Sequence, residues 1–164
     1  MTQLSTIEVS KEYLKFSAAH FTIFSASERE RLHGHNYAVS ATVTASVDDN
    51  GMCFPYGEMK SRLRVLCESL DEYTLIPQFS PHLSIAEQDG YYRVAYNEEI
   101  MLLLQSDTLL LPIRNTTVEE FSRYLLEQLR QDTDFFESNR CQRIALTVNS
   151  GPGQSATTVW RAGE

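Results

Sequence analysis

The sequence predicts an α+β domain: a four-stranded antiparallel sheet with two helices on one face and a β-hairpin inserted between the helices. Three observations predict it. Residues Tyr37 to Asp48 carry a period of two, two later segments repeat their apolar residues at helical spacing, and Asp89-Gly90 separates two short strand-like runs.

The segment Ile7 to Phe16 is extended in character and leads into Ala18-Ala19-His20. Tyr37, Val39, Ala41, Val43, Ala45 and Val47 then share one face, and Ala38, Ser40, Thr42, Thr44 and Ser46 share the other. The two segments pair antiparallel, with His20 to Leu32 as their connection. Asp49-Asn50-Gly51 ends the second strand as a turn. Met59, Leu63, Leu66, Cys67 and Leu70 form the apolar stripe of a helix starting near Pro55. Leu83 to Gln88 and Tyr91 to Tyr96 flank Asp89-Gly90, the pair that a two-residue type I′ hairpin prefers. A second helix runs from about Thr117, burying Val118, Phe121, Leu125 and Leu129. Thr116, with Glu119 three residues on, has the form of a capping box at its start. Arg143 to Val148 and Thr157 to Arg161 supply the last two strands around Gly151-Pro152-Gly153.

The 164 residues, 42% of them apolar, suffice for one packed core, so a single domain spans residues 1–164. A formal charge of −8 excludes a broad nucleic-acid surface, because phosphate backbones are held by Lys and Arg in excess. An anionic small molecule would need a local basic pocket. No run approaches the roughly 20 apolar residues of a membrane helix, and Met1 to Ser10 lacks the pattern of a signal peptide, so a cytoplasmic protein without membrane contact is expected. Cys53, Cys67 and Cys141 are widely spaced and odd in number, as reduced, packed thiols are.

The chemistry concentrates in His20 and in Leu32-His33-Gly34-His35-Asn36-Tyr37. Residues two apart on an extended backbone point the same way, so His33 and His35 can present imidazoles to one ion, and His20 on the paired strand can supply a third. Three neutral imidazoles with an open position are the donor set of a catalytic zinc. Of the four histidines only His82 falls elsewhere, in a loop. Glu30 sits in the run Glu28-Arg29-Glu30-Arg31, which by itself reads as a solvated charge cluster.

Phe16-Ser17-Ala18-Ala19-His20 and Leu32-His33-Gly34-His35-Asn36-Tyr37 resemble the paired zinc motifs of the 6-pyruvoyl-tetrahydropterin synthase family, which includes the 6-carboxytetrahydropterin synthases. The resemblance continues through Gly51-Met52, Leu70-Asp71, Asn115-Thr116-Thr117-Val118-Glu119 and Pro152-Gly153-Gln154-x-Ala156. It implies the tunnelling fold (T-fold), in which subunits close their sheets into a barrel. The usual assembly is a homohexamer of two stacked trimers with active sites between subunits. It also implies bound Zn2+ and a pterin-like small-molecule substrate.

The departures from the family pattern define the chemistry further. Arg29 stands where most members carry a catalytic cysteine, but Arg29-Glu30-Arg31-Leu32-His33 reproduces the spacing of a subgroup with a glutamate instead. The resemblance then makes Glu30 the base and implies cleavage of 7,8-dihydroneopterin triphosphate to 6-hydroxymethyl-7,8-dihydropterin, a folate precursor. Arg29 and Arg31 face the triphosphate or pair with Glu28 and Glu30. The family's Asp-His pair appears as Asp71-Glu72, a carboxylate replacing the imidazole as second proton carrier. Ser150 occupies the place of a pterin-gripping glutamate, and a hydroxyl offers one weaker contact where a carboxylate offers two. Glu119 and Thr117 either take over part of that grip or cap the second helix. Two alternatives follow: an enzyme of the same fold with a different substrate, or a catalytically silent zinc-binding oligomer.

Overall fold

The computed structural model describes residues 3–163. Its elements in chain order are β1 (Leu4–His20), β2 (His33–Ser46), α1 (Tyr56–Glu68), β3 (Tyr73–Pro77), β4 (Ser84–Gln88), β5 (Tyr91–Tyr96), β6 (Glu99–Leu104), β7 (Thr108–Leu111), α2 (Val118–Leu129), α3 (Thr133–Ser138), β8 (Cys141–Gly151) and β9 (Gln154–Arg161). The expected antiparallel strands are present as β1, β2, β8 and β9, neighbours in that order. Both helices pack on their apolar face. Tyr37, Val39, Ala41, Val43 and Ala45 of β2 meet Met59, Leu63 and Cys67 of α1 and Val118, Phe121, Leu125 and Leu129 of α2 in one core. Burial of each large side chain contributes about 1.5–3 kcal/mol, several times what helix propensity supplies per residue.

Two expectations are corrected. The sheet has six strands and is mixed, not four-stranded and antiparallel: β3 adds parallel to β1 through Ala18 and Ala19, and β7 adds parallel to β3. β3 and β7 read Tyr-Thr-Leu-Ile-Pro and Thr-Leu-Leu-Leu. Such short apolar runs, which lack alternation, are the pattern of parallel strands covered on both sides. The insert is a three-stranded sheet in the order β4-β5-β6. Its first turn has Asp89 and Gly90 at φ 50° and 84°, the two left-handed positions of the expected type I′ hairpin. Its second, Asn97-Glu98, has φ 44° and 55°. β6 escapes a binary pattern because Met101 and Leu103 pack inward while Ile100, Leu102 and Leu104 lie exposed on the other side.

The start of α2 is shifted by one residue from the expected capping box. Thr117, not Thr116, is the N-cap, its hydroxyl accepting from the Glu120 backbone N–H at 3.4 Å. Thr116 is instead fully buried beside β1. The three cysteines are free and buried, and burial pushes the Cys67 and Cys141 thiols up to about 12 and about 11. Among the described residues no helix is long and apolar enough to cross a membrane.

Candidate metal centre and active site

β1 ends at His20 and β2 begins at His33, and the antiparallel register sets these residues opposite each other, with Ala18 opposite His35. Three imidazoles are thereby gathered at one end of the strand pair, their facing nitrogens all within 4.8 Å of one another. His33 Nε2 and His35 Nε2 stand 3.1 Å apart. His20 is buried, and its Nδ1 donates to the Thr116 carbonyl at 2.9 Å. His33 Nδ1 donates to the Arg31 carbonyl at 2.7 Å. Each contact fixes the tautomer that leaves Nε2 as a lone-pair donor. His20 Nε2 is buried and has no hydrogen-bond partner in the protein. A buried acceptor left over, aimed at two further imidazole nitrogens, fits a zinc ion in its neutral nitrogen donor set.

The surroundings of His20 keep its imidazole neutral. Burial, then the neighbouring His33 and His35 charges, lower His20 to about 4 against the opposing bond to Thr116. Tyr37 and Phe121 form an aromatic floor, with ring centroids 5.7 and 6.5 Å from that of His20. Burial pushes the Tyr37 phenol above its ordinary value, and the charge of Glu30 adds to this. Thr116 supports the floor's rim, its hydroxyl donating to the Phe21 carbonyl at 2.7 Å.

Glu30 lies in the connection between β1 and β2, which folds back on itself through a bridge of Ile23 with Arg29. Its carboxylate Oε2 is 3.9 Å from His33 Nε2 and accepts from the Thr22 N–H at 2.9 Å. Partial burial raises its pKa, but the Thr22 hydrogen bond and the nearby imidazoles outweigh this, so the group is held below 4.5. It is therefore a carboxylate at neutral pH.

His20, His35 and Glu30 open onto a cavity of about 490 Å³ that Thr117, Glu119, Ser150 and Gln154 also line. Ile23, Phe24 and Val118 form apolar walls. Ser150 Oγ donates to the Gln154 side-chain oxygen at 3.3 Å. The shifted helix start frees Glu119 from the cap, and its side chain is exposed in this cavity.

Other candidate residues stand apart from it. Arg29 points away, its guanidinium paired with Glu99 at 2.8 Å, and Arg31 is exposed next to His33. Asp71 accepts from the Ser17 N–H at 2.7 Å, and Glu72, at φ 63°, donates its N–H to the Ser17 carbonyl at 2.7 Å. Glu72 faces a separate cavity of about 430 Å³ shared with Asn36 and Asp107. His82 lines a groove of the insert with Arg93 and Glu98. Sequence reasoning missed Thr22, which holds Glu30. A lone threonine carries no signal there.

The family model for 6-pyruvoyl tetrahydropterin synthase matches residues 8–159. A curated protein of Methanocaldococcus jannaschii, provisionally named a 6-carboxy-5,6,7,8-tetrahydropterin synthase, is 24% identical over 144 residues, covering 87% of this chain and 88% of the relative. The crystal structure of 6-pyruvoyl tetrahydropterin synthase from Plasmodium vivax superimposes with a TM-score of 0.93 at 28% identity, over 97% of this chain and 99% of that one. The Plasmodium falciparum protein of the same name gives 0.92 at 27%, over 96% and 98%. Two further structures of the P. vivax protein are variants in which a glutamate described as a catalytic residue is replaced by cysteine or by alanine.

Proposed function

The chain belongs to the 6-pyruvoyl tetrahydropterin synthase family, and from that premise we propose that it is a zinc-dependent lyase that takes 7,8-dihydroneopterin triphosphate to 6-hydroxymethyl-7,8-dihydropterin with Glu30 as its base. The observation that carries this reading is the Glu30 carboxylate, ionised and 3.9 Å from His33 Nε2 at the wall of a cavity of ligand size. The related Plasmodium vivax protein also has a glutamate as a catalytic residue.

His20, His33 and His35 would hold the zinc, which when bound supplies a Lewis acid that polarises a side-chain hydroxyl of the substrate. Glu30 takes the proton from that hydroxyl as the side-chain carbon–carbon bond breaks. The hydroxyl carbon leaves as the aldehyde that carries the triphosphate, and the electron pair left beside the ring, delocalised into the dihydropterin, takes up a proton to give the hydroxymethyl group. Thr22 keeps the carboxylate aimed inward and ionised. Glu119 accepts from the adjacent N–H groups of the pterin edge, with Thr117 and Ser150 adding hydroxyl contacts. Ile23, Phe24 and Val118 cover the ring and exclude water. Arg31, exposed next to His33, meets the triphosphate, because Arg29 is engaged elsewhere. Asp71 and Glu72 would act on the site of a neighbouring copy, in a homohexamer with sites between subunits. Among the described residues β7 and β9 are the two edges of the six-stranded sheet, the places where a neighbouring copy's strand would add in such an assembly.

A second reading, an enzyme of the same fold with a different substrate, is favoured by one observation: the Ser150 hydroxyl is turned to Gln154, leaving Glu119 as the carboxylate that lines the cavity besides Glu30 among the described residues. Incubation of zinc-loaded protein with dihydroneopterin triphosphate, with products identified by mass spectrometry and Glu30→Ala run alongside, tests the reading. 6-Hydroxymethyl-dihydropterin from the wild type alone is the expected result. Absence of turnover and of binding despite bound zinc would end it.

A further inference from the structure

We propose that Arg29 is a positioning residue for Glu30, through which the three-stranded insert sheet acts on the active site. This rests on the reading of Glu30 as the base. The connection between β1 and β2 belongs to the packing of the insert, since Phe21 and Ile23 share a small core with Ile76, Val94 and Tyr96. Arg29 ties the two together through both terminal nitrogens of its head group and through its guanidinium carbon. Nη1 donates to the Glu30 carbonyl at 2.8 Å, and Nη2 donates to Glu99 Oε2, at the start of β6, at 2.8 Å. The guanidinium carbon lies over the rings of Phe21 and Tyr96, 5.2 and 5.5 Å from their centroids. Tyr96 then donates its hydroxyl to the Ser25 carbonyl at 2.9 Å.

The Glu30 peptide is thus held at three points: its N–H by the Thr22 carbonyl at 2.8 Å, its carbonyl by Arg29, and its carboxylate by the Thr22 N–H. A rigid guanidinium fork directs separate N–H groups at two acceptors while its carbon stays over both rings, a geometry the compact lysine ammonium does not reproduce. Glu99 is well exposed, and exposed pairs contribute little to stability, so the effect of the clamp is on geometry. A base displaced by about 1 Å can cost on the order of a hundredfold in rate.

The test compares zinc-loaded wild type with Arg29→Lys, Arg29→Gln and the surface variant Glu99→Gln. kcat and KM for dihydroneopterin triphosphate, zinc content, and hydrogen exchange resolved by peptide are measured for each. Both Arg29 variants are expected to lose on the order of ten- to hundredfold in kcat, with KM within about threefold of wild type. Glu99→Gln should lose less. Zinc content should hold, and exchange should quicken within residues 21–31 while β1 and β2 keep their protection. The proposal is overturned if Arg29→Lys keeps wild-type kcat and exchange, or if zinc and global protection fall together with kcat. If the wild type itself shows no turnover, the lyase reading fails separately. Exchange then decides for the clamp, and an unchanged segment 21–31 ends it.

Discussion

Thr22 and Glu30 hold each other through two hydrogen bonds: the Glu30 N–H donates to the Thr22 carbonyl at 2.8 Å, and the Thr22 N–H donates to Glu30 Oε2 at 2.9 Å. The ring they close places a carboxylate beside three histidines on a segment that is neither helix nor sheet. General-base catalysis typically contributes 10²–10⁴ in rate. Glu30→Gln should therefore lose about that much in kcat. Because the histidines have their own supports, zinc content should stay at the wild-type level. Metal analysis together with steady-state kinetics checks both halves. Since Glu30 is held below its ordinary value, its protonation should not limit activity at neutral pH.

Thr116 supports the three-histidine cluster from outside its donor set. Its carbonyl accepts from His20 Nδ1 and its buried hydroxyl donates to Phe21. Thr116→Val keeps the shape, loses the hydroxyl and leaves the Phe21 carbonyl short of a donor. The expected cost is about 1–3 kcal/mol of stability. Zinc affinity should stay within about threefold of wild type, because the carbonyl that orients the His20 ring is kept. Denaturant unfolding of the metal-free protein and competition with a chelator measure the two effects independently.

How much of this could be read from the chain depended on whether a residue's signal was local. β2 was legible from its period of two, and α1 and α2 from their stripes at helical spacing. His33 and His35 were legible because the strand period puts them on one side. β3 and β7 carry no such period, since parallel strands covered on both sides are simply apolar. α3 is a single short turn set by Asp132 capping Phe135. The choice between Thr116 and Thr117 as cap lay within the one-residue uncertainty of any helix start, yet it decided that Glu119 faces the cavity. Arg29 was legible only as a charge among charges, because its partner Glu99 lies 70 positions away and is brought near by the insert.

Acid should unfold the metal-stripped protein through His20. Its pKa is about 4 in the folded chain against an ordinary 6.5, so between these pH values the unfolded state binds a proton that the folded state refuses. The stability that His20 contributes is whole above about pH 6.5, falls as the pH drops through this window, and is gone below about pH 4. The shift corresponds to at most about 3 kcal/mol. Urea unfolding of metal-free wild type and His20→Gln across the window should show a steeper decline for the wild type. Zinc-loaded protein should resist to lower pH and then release its ion, since protons and metal compete for the same nitrogens.

The grip on the heterocycle can be tested by charge alone. Glu119 and Ser150 both line the cavity, and of the two only Glu119 can offer two oxygens to adjacent ring N–H donors. Glu119→Gln turns one acceptor into a donor facing those same N–H groups. It should weaken pterin binding by about 1.5–3 kcal/mol, or roughly ten- to hundredfold, with zinc content unchanged. Ser150→Glu should act in the opposite sense if the pterin edge lies between the two side chains, because the second carboxylate would replace a single hydroxyl contact. Calorimetric titration of 7,8-dihydroneopterin into both variants and the double variant separates the cases. A gain from Ser150→Glu that persists without Glu119 places the pterin edge against β8, and a gain lost without it makes Glu119 the primary anchor. If neither substitution changes the affinity, the ring binds away from both residues and the cavity takes a substrate with a different edge.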